Sequence, residues 1–345
     1  MKTYHIITIG CQMNKSDSER AASLLEQNGY KKTDNKYRSD LVVVNTCGVR
    51  QSAEDRIYGL IPDIKRKSVS RRKKVKIIVT GCLVYRKDVR HRLKEYVDEW
   101  IMINEMVKGK CRDYLKVIPK YESKFSAYVP IGNGCNNFCS YCVVPYARGR
   151  EVYRPAADIL REVKNLVKKN YKEITLIAQN VNSYKSGKID FADLLKAVNN
   201  LKGDFFIRFM TSHPKDMSDK LIRTIAECKK VCRHIHLPVQ AGDDEILRKM
   251  NRQYSVKHYV GLIKKIRQAL PDASITTDII VGFPGETKKQ FNNTVQLFKE
   301  IKFDMAYIAR YSPRPGTAAF KLADDVASAE KKKRWQALNK LSNEK

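Results

Sequence analysis

The chain has 345 residues, too many for one small core, and 43% of them are hydrophobic, which suits a packed protein of two domains. Its formal net charge of +30 favours a polyanionic partner. No uninterrupted apolar run of about 18 residues occurs, so no transmembrane helix and no membrane partner are expected.

The start, MKTYHIITIGCQ, enters a strand-like run and lacks the basic, apolar and small-residue zones of a signal peptide, so the cytoplasm is the expected compartment. Nine cysteines, an odd number, disfavour a disulfide framework there and point to metal binding or catalysis.

In chain order, YHIITIG (4–10) reads as a strand and Ser18 to Gln27 as a helix. LVVVN (41–45) is a second strand, with a helix following from about Ser52. VKIIVTG (75–81) is a third, followed by charged helix-like sequence to about Trp100. Continuous Val/Ile runs alternating with helices indicate buried parallel strands in an α/β layer fold. The basic run Lys65-Arg66-Lys67 and Arg71-Arg72-Lys73-Lys74 reads as a solvated loop between elements or as a phosphate-binding patch. Each of the three strands exits into a cysteine: Cys11 in IGCQMN, Cys47 in NTCGVR, Cys82 in TGCLVY. Strand ends of a parallel sheet share one edge, where sites form, so these three thiols are expected to converge.

Residues from Cys111 to Lys124 read as a connector. The alternation then restarts, with strand candidates at 127–132, 173–179, 205–210, 234–239, 275–282 and 305–311. Helical patterns such as ADILREVKNLVKKN and TKKQFNNTVQLFKEI lie between them. Six βα units suggest a partial barrel rather than an eightfold one, with working residues at the C-terminal ends of strands. The expected organisation is an α/β domain over 1–120, a partial (β/α)6 barrel over 125–320, and a basic helical tail over 321–345.

The first barrel strand leads into GCNNFCSYCVVPYARGRE (134–151). Cys135, Cys139 and Cys142 occupy eight positions with no fourth ligand nearby; the nearest downstream histidine is His213. Structural zinc calls for four ligands. A [4Fe–4S] cluster takes one thiolate per iron, so three would leave one iron open to a substrate or cofactor.

Cys-x3-Cys-x2-Cys after the first strand of a partial barrel resembles the radical S-adenosylmethionine (SAM) superfamily. There the open iron chelates SAM, and reduction yields a 5′-deoxyadenosyl radical. Tyr141 matches the aromatic position near the adenine of SAM. With Cys11, Cys47 and Cys82 included, the chain resembles the methylthiotransferase family, in which that trio carries a second [4Fe–4S] cluster whose open iron serves sulfur attachment. GCQMN (10–14), VNTC (44–47), AQNVNSY (178–184), TSHP (211–214), HLPVQAG (236–242), TDIIVGFPGET (277–287) and YSPRPGT (311–317) extend the likeness over about residues 4–320.

The resemblance implies a tRNA-modifying enzyme that methylthiolates C2 of N6-isopentenyladenosine (dimethylallyladenosine) at position 37. It implies that one SAM methylates cluster-bound sulfur and another makes the radical, so that the two open irons face a common pocket. It places Gln179 and Asn180 at the methionine end of SAM, and Gly282 and Glu286 near its adenine. Arg148 and Arg150 read as phosphate or substrate contacts, or as solvent-facing loop residues. The implied partners are tRNA and an electron donor such as a flavodoxin or ferredoxin, with the protein a monomer. The sequence stops where the family's small RNA-binding barrel, TRAM, would start: either it is a piece of a longer protein or RNA binding rests on the basic surface. Cys111, Cys228 and Cys232 match no family motif; Cys228 and Cys232 lie on a helix-like segment and read as structural.

The rivals are a methylthiotransferase of threonylcarbamoyladenosine in tRNA or of a ribosomal-protein aspartate, with QMN after Cys11 favouring the isopentenyladenosine type. From another class, a non-catalytic metal-bound RNA-binding module is the alternative.

Overall fold

The computed structural model describes residues 1–106 and 114–343; the start of the expected connector, with Cys111, lies outside them. Two compact units emerge. The first comprises Met1–Pro130 together with Val143–Gly149, the second Ile131–Cys142 together with Arg150–Lys345.

The first unit is built on β1 (Thr3–Ile9), β2 (Lys31–Lys32), β3 (Leu41–Thr46), β4 (Lys76–Gly81) and β5 (Glu99–Trp100), in the parallel order β2-β1-β3-β4-β5. The two-residue edge strands β2 and β5 are too short to show a hydrophobic period. Helices α1 (Gln12–Gln27), α2 (Gln51–Ser70) and α3 (Lys87–Arg92) connect the strands. Every residue of β3 is buried, because it is central and covered on both faces. Alternation sends Val42 and Val44 to one face, with Ile57, Ile61 and Ile64 of α2, and Leu41 and Val43 to the other, with Tyr4 and Ala22. Each fully buried isoleucine contributes roughly 1.5–3 kcal/mol.

Helix α2 corrects the reading of the basic run. It extends through Ser70, so Lys65–Lys67 are helical and only Arg71–Lys74 form the loop. Several of these cations have partners within the unit: Lys65 with Asp98, Lys67 with Asp63 and Lys73 with Asp40. The unit also holds β6 (Ser126–Pro130) and the short helix α4 (Val144–Arg148).

The second unit carries the cysteine loop between β7 (Gly132–Asn133) and β8 (Val152–Tyr153), an antiparallel pair that clamps its two ends. Helix α5 (Ala156–Lys168) leads to β9 (Glu173–Ile177), and a small hairpin, β10 (Lys185–Ser186) with β11 (Ile189–Asp190), precedes α6 (Phe191–Asn199). Then come β12 (Phe206–Phe209), α7 (Asp219–Glu227), β13 (His234–His236), α8 (Asp244–Lys249), α9 (Val256–Ala269), β14 (Ser274–Val281), α10 (Lys288–Ile301) and β15 (Met305–Arg310). Strands β9 and β12 pair in parallel, as do β13, β14 and β15 in sequence. These five strands alternate with helices as in a partial βα barrel. Side-chain caps on Ser218, Ser255 and Thr287 start α7, α9 and α10, each contributing about 1 kcal/mol.

Helix α7 ends at Glu227, so Cys228 caps it and Cys232 lies beyond it, in contrast to the helix-like reading of that segment. The basic C-terminal stretch forms α11 (Ser328–Asn343), which docks rather than trails. Lys331, Arg334 and Leu338 are buried, and Trp335 Nε1 donates to the Ile308 carbonyl of β15 at 2.9 Å. Among the described residues, no helix is long and apolar enough to cross a membrane.

Candidate functional site

In the first unit, strand register brings the three strand-exit cysteines to one edge. Ile9 pairs with Thr46 and Thr46 with Gly81, so Cys11, Cys47 and Cys82 follow three adjacent strand ends. Cys47 N donates to the Ile9 carbonyl and Cys82 N to the Thr46 carbonyl, both at 2.8 Å. Burial pushes the Cys47 thiol up, and the neighbouring Cys82 and Cys11 add to the shift. Glycines permit this crowding. Gly81 has φ +90°, and a Cβ there would overlap the Thr46 carbonyl; a Cβ on Gly48 would stand 2.7 Å from the Cys82 carbonyl oxygen.

Each thiol has a local setting. Cys11 sits at the N-cap of α1, and its backbone N–H donates to Asn14 Oδ1 at 3.1 Å. Asn14 Nδ2 in turn donates to Asn45 Oδ1 at 2.9 Å, locking the loop to β3. The Val49 N–H points at Cys47 Sγ, 3.3 Å away. Arg148 Nε donates to Cys82 Sγ at 3.2 Å, while Arg148 Nη2 pairs with Asp17 Oδ2 at 2.7 Å. Arg148 is therefore a buried thiol partner rather than an exposed loop residue. Burial opposes its charge, but Asp17, Cys82 and Tyr114 outweigh that and raise its pKa.

In the second unit, Cys135 and Cys139 are buried and Cys142 is half-buried. Burial pushes the Cys135 thiol up to about 11, with Cys139 and Glu151 raising it further. The loop is tied down along its length. Gly134 N donates to Gln179 Oε1 at 2.6 Å, Ser140 N to the Met250 carbonyl at 2.9 Å, and Asn251 Nδ2 to the Phe138 carbonyl at 2.9 Å. Arg252 Nη1 donates to Cys139 Sγ at 3.4 Å and its Nη2 to the Pro238 carbonyl at 3.0 Å. Arg150 stacks on Phe138, 4.4 Å from the ring centroid. Tyr141 packs against the apolar cluster of Ala241, Leu247, Met250 and Phe283.

The remaining expected residues divide. The Gln179 side chain serves Gly134 of the loop itself. Asn180 is buried, donates to Asp216 Oδ2 at 2.7 Å, and leaves its Oδ1 without a partner. Ser212 Oγ, past the end of β12, is likewise buried and unpartnered. Gly282 and Glu286 bind each other: Gly282 N donates to Glu286 Oε2 at 2.6 Å, and Arg334 of α11 donates to the same oxygen at 2.8 Å. The Glu286 carboxylate is thus committed inside the fold. Arg252, Asp17, Asn14 and Ser212 escaped sequence reasoning as individual functional residues, because an arginine or a polar side chain carries no spacing signal by itself; Arg148 was singled out, but for phosphate or substrate rather than for Cys82 and Asp17.

Non-glycine residues take positive φ at Phe138 in the loop (47°), Thr211 after β12 (67°) and Gln240 after β13 (71°). Such conformations cost about 1–3 kcal/mol each and gather at functional sites. Among the described residues, no three His, Cys, Asp or Glu side chains close on one point as ligands of a single metal ion would. A [4Fe–4S] cluster spreads its thiolates over separate irons. The all-thiol donor sets and the buried orphan atoms Asn180 Oδ1 and Ser212 Oγ fit a cluster with a polar cofactor better than a zinc ion.

Residues 129–298 match the Radical SAM superfamily, and residues 3–102 match a family described as Uncharacterized protein family UPF0004. The tRNA-2-methylthio-N(6)-dimethylallyladenosine synthase of Thermoanaerobacter pseudethanolicus is 46% identical over 99% of this chain and 78% of its own length. The synthase of the same name from Syntrophomonas wolfei is 44% identical over 98% of this chain and 81% of its own length. Among solved structures, the radical S-adenosylmethionine methyltransferase TsrM from Kitasatospora setae has a similar fold, with a TM-score of 0.66 at 13% identity over 92% of this chain and 77% of that one. Coproporphyrinogen III oxidase (HemN) from Escherichia coli gives a TM-score of 0.50 at 17% identity over 68% of this chain and 56% of that one. With curated relatives this similar along nearly its whole length, the chain belongs to the radical SAM methylthiotransferases, the family of the tRNA-2-methylthio-N6-dimethylallyladenosine synthases.

Proposed function

We propose that this protein adds a methylthio group to C2 of N6-dimethylallyladenosine at position 37 of tRNA, in the cytoplasm. One observation carries the reading beyond the family likeness. The chain pairs a tight three-cysteine loop in one unit with three cysteines at adjacent strand ends in the other.

Cys135, Cys139 and Cys142 would hold the [4Fe–4S] cluster whose open iron takes SAM. Cys11, Cys47 and Cys82 would hold a second cluster, whose open iron takes the sulfur to be transferred. When bound, these groups supply a radical able to activate an aromatic C–H and a methylated sulfur to replace the hydrogen.

The chain's own residues prepare the sites. Gln179 holds Gly134, so the loop enters in one conformation. Arg252, charged despite its burial, donates to Cys139 Sγ and to the Pro238 carbonyl, holding the loop at that sulfur. Asn180 Oδ1 and Ser212 Oγ offer an acceptor and a hydroxyl for the amino-acid end of SAM. Tyr141 supplies an aromatic wall. Loading any of the thiols releases protons, and the raised pKa of Cys135 and Cys47 makes loading easier as pH rises. The electron donor is a small low-potential carrier such as a flavodoxin or ferredoxin, and the protein works as a monomer whose excess of +30 meets the RNA phosphates.

The test is mass spectrometry of nucleosides after the anaerobically reconstituted protein, SAM, sulfide and a reductant are incubated with dimethylallylated tRNA. A methylthio product on that nucleoside supports the reading. Product only on threonylcarbamoylated tRNA would move the assignment to the sister activity. A Cys11, Cys47 and Cys82→Ala variant should still cleave SAM to 5′-deoxyadenosine but make no methylthio nucleoside. Full methylthiolation by that variant, shown folded by circular dichroism, would refute the second-cluster mechanism.

A further inference from the structure

We propose that Arg148 is a positioning residue for Cys82, and that its charge raises the reduction potential of the cluster held by Cys11, Cys47 and Cys82. This rests on the reading that the trio carries a cluster.

The arginine comes from an unexpected place in the chain. It lies six residues past Cys142, yet it belongs to the first unit with Asp17 and Cys82. Its side chain is 3% exposed and that of Asp17 is 1% exposed. Withdrawing both charges from water carries a desolvation cost that a pair of apolar residues would avoid. The guanidinium fork is divided: Nη2 goes to the carboxylate at 2.7 Å and Nε to Cys82 Sγ at 3.2 Å. Tyr114 OH donates to the other carboxylate oxygen at 3.1 Å, fixing Asp17 from behind. Asp17 thus aims the arginine, and the arginine's second donor has a sulfur as its acceptor.

Hydrogen bonds and positive charge at a ligand sulfur favour the electron-richer state of an iron–sulfur cluster and raise its potential. The carboxylate of Asp17 works against that charge. The two partners of one buried ion pair therefore act on the cluster with opposite signs. A purely structural pair would not: removing either partner would simply destabilise the unit.

The test uses the 345-residue chain with Cys135, Cys139 and Cys142→Ala, reconstituted anaerobically so that one cluster reports. In that background Arg148→Met, Arg148→Lys and Asp17→Asn are titrated under electron paramagnetic resonance, with iron content and circular dichroism recorded for each. The expected result is a lower midpoint potential for Arg148→Met and a smaller drop for Arg148→Lys, which keeps the charge but not the planar fork. Asp17→Asn should move it upward. If the parent binds no iron, the second-cluster reading falls, and this proposal with it. If the parent binds iron but its potential is unchanged in Arg148→Met, or moves the same way in Arg148→Met and Asp17→Asn, the role of Arg148 alone is overturned. Should Arg148→Met fail to fold, the opposite shifts of Arg148→Lys and Asp17→Asn decide.

Discussion

Replacing Arg334 with methionine should destabilise the second unit by about 3–5 kcal/mol, the usual cost of leaving one member of a buried ion pair alone. Arg334 and Glu286 have side-chain exposures of 7% and 1%. The guanidinium donates to the Glu286 carboxylate and to its backbone carbonyl, each at 2.8 Å. Its second partner, Glu330, is 40% exposed and contributes little. Without the arginine, the Gly282 N–H still donates to the buried carboxylate. Burial already raises the Glu286 pKa, against the lowering effect of Gly282 and Arg334. Losing the arginine raises it further. The cost is therefore full above that raised value, fades as pH falls through it, and is gone below the carboxyl's unfolded value, where the group is neutral in both states. Urea unfolding at pH 8 and pH 4.5 measures both quantities, and hydrogen exchange over 328–343 reports whether α11 has come loose. The double variant Arg334→Met with Glu286→Gln should recover much of the loss, since no buried charge remains. A loss at pH 8 below about 1 kcal/mol, the range of exposed pairs, would refute the reasoning.

Three further outcomes are expected. Changing Cys135, Cys139 and Cys142 to alanine together should leave about half the iron of the reconstituted protein; unchanged iron would contradict two separate cluster sites. Binding of tRNA should weaken by orders of magnitude from about 50 to 200 mM salt, because lysine and arginine contacts to phosphate release counterions; a flat profile would exclude an electrostatic footprint. Burial first, then Arg252 and Lys215, hold the His213 pKa down to about 2, so the imidazole stays neutral in the fold while the unfolded chain takes a proton near 6.5. Its contribution is present above about 6.5 and is lost as pH falls toward the folded value, amounting to about 2 kcal/mol at pH 5. His213→Asn should flatten the stability profile between pH 5 and 8 by that amount, and an identical slope in both proteins would contradict it.

The strands that matter most were legible because they are fully buried and so written as unbroken Val/Ile runs, as in LVVVN. The meeting of Cys11, Cys47 and Cys82 followed from one rule: parallel strands end on one edge. What escaped was set by contacts distant in sequence. Asp17 and Arg148 are 131 positions apart, and Glu286 and Arg334 are 48 apart; neither pair leaves a local pattern. Gln179 sat in a motif, but its direction toward Gly134 depends on how the loop closes. The edge strands Lys31–Lys32 and Glu99–Trp100 pair through two residues each, too few for any alternation to register.

The chain passes between the two units three times: after Pro130, after Cys142 and after Gly149. Dissection of the gene must respect that. A fragment ending at residue 130 would contain all three strand-exit cysteines yet omit Val143–Gly149, and with it the cation that faces Asp17. The buried carboxylate would then lose the guanidinium that pairs with it. Such a fragment should express as a weakened domain with altered thiol chemistry, and failure of that piece to assemble a cluster would say nothing about the intact enzyme. A peptide spanning 143–149, supplied in trans or grafted through a linker, is the smallest addition that restores the missing charge.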